Sequence, residues 1–271
     1  MPKLRPSRPV RLVALDLDGT TLNPEHQLSA GTKSIIRELT AVGVFVVLAS
    51  GRLPASILPF ARELGLNGEH IGLNGGVAFD LEGVFRHKHT LSVAQVQFGL
   101  DCLNAKGLDA MVFTPHSILA PQISEGRELL RTLGEPEVER YRSDQLSSIV
   151  DPVKIVTVLA AGEADTEIAR MVGSRLQCVR TAPQFLEFMA PGVSKGAALT
   201  EILADLGIAA DETLAIGDSQ NDESLFAATG FAIAMGNASP DLKAKADWLT
   251  ATNAQDGVAV ALRKFVLEQI T

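Results

Sequence analysis

Apolar runs of strand length alternate with segments of helical periodicity from the start of the chain. "VRLVALD", "VFVVLAS" and "HIGLN" read as strands, with the helical "IIRELTAVG" and "ILPFARELG" between them. This is the βαβ signature of a parallel sheet covered by helices on both faces. It returns late in the chain, where "SKGAALTEILADLG" reads as a helix with Ser194 as N-cap and Gly207 at its end. "TLAIGD" then reads as a strand, "NDESLFAATG" as a helix and "FAIAMGN" as a strand.

From about Val84 to Gln184 the pattern changes: "SVAQVQFGLDCLNAKG" and "EADTEIARMVG" are helical, "DAMVFT", "KIVTVLAA" and "LQCVR" are strands. The expected fold class is therefore α/β, a Rossmann-like parallel-sheet core from residues 1–84 and 185–271 with residues 85–184 inserted as an α+β cap. "NGGVAFDLEG" and "TAPQFLEFMAPG" punctuate the two junctions. Gly75, Gly76, Gly83, Pro183, Pro191 and Gly192 are candidate hinges and struts there.

Composition narrows the partners. With 46% apolar and 21% charged residues, the 271-residue chain has the balance of an ordinary soluble globular protein. A net charge of −8 argues against nucleic acid or an anionic membrane as the main partner. A small molecule remains. Cys102 and Cys178 have neither disulfide-framework nor zinc-ligand spacing, which fits a reducing cytoplasm. The basic N-terminal stretch is followed only by "LVAL" before Asp16 interrupts, and no apolar run approaches the ~20 residues that cross a bilayer. A soluble, cytoplasmic chain is expected, as a monomer or weak homodimer.

The candidate chemistry lies where strands end. In "VALDLDGTTLN" Asp16 and Asp18 alternate onto one side as the first strand leaves the sheet, so a cation, a shared proton or a reaction must offset their repulsion. Ser50, Gly51 and Arg52 close the second strand, Asn74 and Gly75 the third. Asp218 closes "LAIGD", with Ser219, Asn221 and Asp222 behind it, and Lys195 opens the helix leading into that strand. Open parallel sheets bind ligands at these carboxyl ends. Acids, a lysine, a hydroxyl and exposed amides suit phosphoryl transfer, with Mg²⁺ accepting the oxygen donors and a carboxylate able to attack phosphorus.

In that order and spacing, "DLDGTTLN", "LASGR", "SKG" and "GDSQND" resemble the four motifs of the haloacid dehalogenase superfamily of phosphatases. "EFMAPGVSKGAAL", "GDSQNDESLF", "AIAMGNA" and "NAQDGVAVAL" resemble its Cof-type members, which insert a large type-2 cap between the second and third motifs. The resemblance covers about Val10 to Gly83 and Phe185 to Ile270, and reaches the cap by position only. It implies Asp16 as nucleophile and metal ligand, and Asp18 as acid and base with its carbonyl on Mg²⁺. It implies phosphoryl contacts from Leu17, Ser50, Gly51, Lys195 and Asn221, metal ligation by Asp218 and Ser219, and support from Asp222; Asn74, at its strand end, is expected to support the site as well. Thr21 and Ser50 stand where many members carry Leu and Thr.

The expected activity is Mg²⁺-dependent hydrolysis of a small phosphorylated metabolite: a sugar phosphate, a phosphorylated cofactor or a nucleotide. A phosphomutase of the same superfamily and a receiver-like signalling domain are the alternatives. "FRHKH" stands apart: Arg86 and Lys88 share one face of a strand and His87 and His89 the other, so one face could meet a substrate anion or a metal. A solvated strand explains it equally well. His26, His70 and His116 have no evident partners.

Overall fold

A computed structural model describes residues 3–120, 125–141, 143–160, 162–182 and 184–269. In chain order the strands are β1 Leu12–Asp16, β2 Phe45–Ala49, β3 His70–Gly72, β4 Val77–Phe79, β5 Phe85–Lys88, β6 Met111–Phe113 and β7 Ile118–Ala120. They continue with β8 Val138–Arg140, β9 Lys154–Val158, β10 Gln177–Ala182, β11 Phe185–Met189, β12 Thr213–Gly217, β13 Phe231–Ala234 and β14 Trp248–Leu249. The helices are α1 Ala30–Ala41, α2 Pro54–Leu64, α3 Val93–Asn104, α4 Glu125–Thr132, α5 Glu163–Val172, α6 Lys195–Leu206, α7 Glu223–Ala228, α8 Pro240–Lys243 and α9 Gly257–Phe265.

The strands form two sheets. The larger has the order β14-β13-β12-β1-β2-β3-β4-β5 and the smaller the order β10-β11-β9-β6-β7-β8. β1 is buried along its whole length between β2 and β12, both parallel to it, so "LVAL" reads as a continuous apolar run with no polar face. The order reverses at β1, placing its carboxyl end at the topological switch point. The expected all-parallel core is corrected at one edge: β4 adds antiparallel to β3, and β5 antiparallel to β4. The turns before β4 and β5 are too short for a parallel crossover.

The sheets also change one strand later than the expected boundaries at 84/85 and 184/185. β5 pairs with β4 in the larger sheet, while β11 lies between β9 and β10 in the smaller. "TAPQFLEFMAPG" was expected to be junction, but "FLEFM" within it buries all five residues as a strand. Pro183, a candidate strut, lies outside the described residues.

The smaller sheet separates two apolar clusters. Ile155, Leu186 and Phe188 from one face join Val96, Leu103, Ile168 and Val172 of α3 and α5. Val156 and Phe185 belong instead to the cluster shared with the larger sheet. Alternation along β9 and β11 thus turns one face to its own helices and the other to the sheet ends of the core. Helix termini follow sequence: Ser194 Oγ accepts from the Ala197 amide at the start of α6, and Gly207 ends it at φ +62°.

Candidate active site

Asp16 is the last residue of β1 and is buried. Lys195, at the first position of α6, donates from Nζ to Asp16 Oδ1 at 2.6 Å and to Asp222 Oδ1 at 2.7 Å. Asp222 Oδ2 accepts the backbone amides of Asp218 and Ser219 at 3.0 and 3.1 Å. Asp222 therefore ties the loop after β12 to the lysine and has both oxygens engaged. Asp16 Oδ2 is shielded from solvent and accepts no hydrogen bond, although the residue borders the cavity described below.

Ligand oxygens of Asp16, Asp218 and Asp222 lie within 4.8 Å of one another. One ammonium faces three carboxylates, leaving two negative charges unmatched (three minus one) if all ionise. Burial, and then Asp222, raise the Asp16 carboxyl well above the carboxylate range despite Lys195. The same two causes push Asp218 up to about 7. Burial alone would lower Lys195, but Asp16 and Asp222 hold its pKa above the usual lysine value. An orphaned carboxylate oxygen beside surplus negative charge and hard oxygen donors is the environment that a divalent cation fits.

Two residues on, the chain has left the sheet and Asp18 stands apart from this cluster. Arg52 grips it with two donors, Nε to Oδ2 at 2.7 Å and Nη2 to Oδ1, and His26 Nδ1 lies 3.2 Å from Oδ1. Gly19 between the groups adopts φ +75°, and a Cβ there would sit 2.4 Å from Asp218 Oδ2. Only glycine lets the turn pass so close to the acid.

The other expected residues converge with different degrees of contact. Ser50 is buried, and its Oγ accepts the Arg52 amide at 3.2 Å. Leu17 buries its side chain in the core, so only its backbone can serve a site. Leu73 and Asn74 both hold positive φ, 52° and 57°, before Gly75 at 97°. A Cβ on Gly75 would lie 2.1 Å from the Ser194 carbonyl oxygen, so the strained turn is pressed against the start of α6. That turn aims Asn74 Nδ2 at Glu187 Oε2, 2.8 Å away, while Asn221 Nδ2 donates to Asn74 Oδ1 at 2.9 Å. Ser219 Oγ donates to Asn221 Oδ1. Lys195 stands behind Asp16 and contributes no surface to the adjoining cavity.

That cavity, ≈ 320 Å³, opens over Asp16, Asp18, Ser50, Gly51, Asp218 and Asn221. Its opposite wall is the smaller sheet and α4: Phe113, Val156, Phe185, Leu130 and Leu133, with Lys154, Glu187 and Thr181 among them. Lys154 Nζ donates to both oxygens of Glu187 at 2.9 Å and to the Gly51 carbonyl at 3.0 Å, and Thr181 Oγ1 donates to Glu187 Oε1 at 2.9 Å. Sequence reasoning missed Lys154, Glu187, Thr181 and Glu135. It named Arg52 as a strand end without seeing its partner. The basic position two residues after Ser50 was the one available signal for the latter.

The strand Phe85–Lys88 supplies nothing to this cavity. His87 and His89 face α6, Arg86 pairs with Asp80 and Lys88 with Asp151. Of the other histidines, His26 reaches Asp18 and His116 packs edge-on against Phe85 at 5.2 Å. His70 is buried, accepts the Leu48 amide at Nδ1, and is lowered to about 4 by burial.

A carboxylate at the switch point, a buried acid cluster and a second sheet roofing the cavity define a class of phosphoryl-transfer enzyme. The family model for haloacid dehalogenase-like hydrolases matches residues 13–262, and the chain belongs to that family, in its Cof-type branch. It is a phosphoric monoester hydrolase. It is 31% identical to the phosphatase YwpJ of Bacillus subtilis, over 92% of this chain and 98% of that one. Identity is 28% to the 5-amino-6-(5-phospho-D-ribitylamino)uracil phosphatase YcsE of the same organism, over 95% and 96%. A crystal structure of a B. subtilis haloacid dehalogenase-like hydrolase superposes with TM-score 0.84 at 29% identity, covering 94% of this chain and 99% of that one. No helix among the described residues is long and apolar enough to cross a membrane.

Proposed function

We propose that the protein is a Mg²⁺-dependent phosphatase of a small phosphorylated metabolite, with Asp16 as nucleophile and the smaller sheet as the cap that selects the substrate. The observation that carries this reading is Asp16 itself. One oxygen is fixed by Lys195, the other has no hydrogen-bond partner, and the residue lines a cavity of metabolite size.

Asp16, Asp218 and the loop of Ser219 would hold Mg²⁺, which when bound would offset the clustered charge and polarise the phosphoryl group. Asp16 Oδ2 attacks phosphorus as the ester P–O bond breaks, giving an aspartyl phosphate and an alkoxide that takes its proton from Asp18. Asp18 then removes a proton from the water that cleaves the acyl phosphate and regenerates the Asp16 carboxylate. Two donors of Arg52 fix the Asp18 carboxyl at the mouth of the cavity, where it can serve both steps. Ser50, Gly51 and Asn221 border the cavity where phosphoryl oxygens would lie.

The opposite wall combines apolar side chains with the Lys154–Glu187 pair, which suits a substrate carrying both hydrogen-bonding groups and an apolar surface. The activity printed in the name of YcsE brings phosphorylated ribitylaminouracils into consideration beside sugar phosphates and nucleotides. The test is a phosphate-release screen over these compounds with Mg²⁺, repeated in excess EDTA. Turnover of at least one metabolite and its loss on chelation are expected. Undiminished turnover in EDTA would remove the metal from the reading.

A further inference from the structure

α6 carries Glu201 and Asp205 four residues apart on one face. That face lies along the outer strand of the larger sheet, where His87 of β5 and His89, one residue beyond it, both reach α6. His87 Nε2 lies 2.9 Å from Asp205 Oδ2, and its Nδ1 lies 3.6 Å from Glu201 Oε2. His89 Nε2 lies 3.1 Å from the same Glu201 oxygen. Glu69, just before β3, completes the group: ligand atoms of Glu69, His87 and Asp205 all lie within 4.8 Å of one another. Asp205 is ten residues beyond Lys195, or about 15 Å along α6, so the group is separate from the catalytic acids.

Ion pairing between the histidines and α6 accounts for His87, His89, Glu201 and Asp205 but not for Glu69. Glu69 Oε2 is shielded from solvent and accepts no hydrogen bond, and burial raises that carboxyl above its ordinary range. A hydrogen-bond donor is missing where a cation would serve. We propose that Glu69, His87 and Asp205 form a second metal site, for a divalent transition ion such as Zn²⁺, in which solvent completes the coordination.

An imidazole with carboxylates is a donor set for Zn²⁺ and its neighbours in the transition series, whereas Mg²⁺ favours oxygen alone. His87 would ligate through Nε2. Its Nδ1–H then points to Glu201, the carboxylate–imidazole arrangement that fixes the tautomer of a metal-bound histidine. His89 holds the other side of Glu201 in place. Such an ion would fasten β5, the segment before β3 and α6 together at the edge of the sheet, where the chain departs for the cap. It would contribute to stability and leave the chemistry at Asp16 untouched.

The test uses the full chain, stripped with chelator and dialysed against Zn²⁺ in excess Mg²⁺, with X-ray absorption to identify the ligands. One Zn²⁺ per chain with nitrogen in its shell is expected, together with a higher melting temperature. His87→Gln and Glu69→Gln should each weaken Zn²⁺ binding about tenfold or more while Mg²⁺-dependent phosphatase activity persists. The proposal is overturned if the parent retains no Zn²⁺ under these conditions or if either variant binds it as tightly as the parent. Should His87→Gln fail to fold, Glu69→Gln carries the test, since its Oε2 has no hydrogen bond to lose.

Discussion

The floor and the roof of the cavity solve different problems with the same residue types. On the floor Lys195 meets Asp16 and Asp222, and the carboxylates outnumber the cation. On the roof Lys154 meets Glu187 alone, one charge for one, with Thr181 and Asn74 completing the carboxylate's hydrogen bonds. The floor is left electrostatically incomplete, which is what a site needs if a cation and a phosphoryl group are to enter. The roof is satisfied, so it can shape a cavity without demanding a counter-ion. A buried charge thus marks chemistry only where its partners fail to balance it.

The sharpest way to break this contrast is Asp16→Asn. It removes the unpartnered oxygen on which the floor depends while preserving volume. Steady-state hydrolysis of the best metabolite should fall roughly 10⁴-fold or more, above about 5 kcal/mol in barrier. Residual activity within tenfold of the parent would show that the incomplete floor is not where the phosphoryl group reacts.

Lys195→Met attacks the other half of the floor. It leaves Asp16 and Asp222 buried without their common cation, and removal of one partner from a buried ion pair costs on the order of 3–5 kcal/mol. Urea unfolding in the absence of Mg²⁺ should show a loss near the upper end, since two carboxylates are stranded. Added Mg²⁺ should restore part of it.

The acids and hydroxyl of the floor were legible in the sequence because each closes an apolar strand or follows it within a few positions, while Lys195 was marked by the start of a helix. Asp16 after "LVAL", Ser50 after "FVVLA" and Asp218 after "TLAIG" could be placed at one sheet edge before any contact was known. Roof residues carry no such mark. Lys154 pairs in register with Met189 and Glu187 with Val156, so the ion pair is a diagonal neighbour across β9 and β11. That relation exists only once the register is set. The strands β4 and β11 were hidden for a related reason: both lie among glycines and prolines that read as punctuation.

On the roof the expected response is smaller and reversible by a second change. Lys154→Met alone should cost about 3 kcal/mol, because Glu187 then stays buried without its cation. Combining it with Glu187→Leu should recover most of that loss, as apolar replacement of a whole buried pair is often neutral. Substrate discrimination should not return. Unfolding of the four proteins of this cycle separates the terms, and kcat/KM ratios among metabolites show whether the pair serves selection rather than stability.

Glu135 gives the smallest effect, because it lines the cavity where roof meets floor and its carboxylate is spent on holding the two together. It follows α4 in the inserted segment, and its carboxylate accepts from the Leu53 amide at 3.2 Å and from Ser56 Oγ at 2.9 Å at the start of α2. The contact therefore fastens cap to core at a helix N-terminus, where negative charge is favoured. Burial nonetheless dominates and raises the carboxyl above its ordinary range, with Ser56, Lys154, Leu53 and Arg52 opposing the rise. The sign follows from that direction. A carboxyl with a raised folded-state pKa binds its proton more tightly in the folded protein, so its stabilisation is present in acid and is lost as pH rises through that value. Glu135→Gln keeps an acceptor but never ionises. Its stability relative to the parent should therefore increase from acid to neutral pH, by an amount of order 1 kcal/mol, comparable to a single hydrogen bond. Thermal unfolding of both proteins across the carboxylate range measures this directly. A parent that instead gains stability over the variant as pH rises would mean that the helix terminus and Arg52 outweigh burial, and that the cap is held to the core by an ionised clasp.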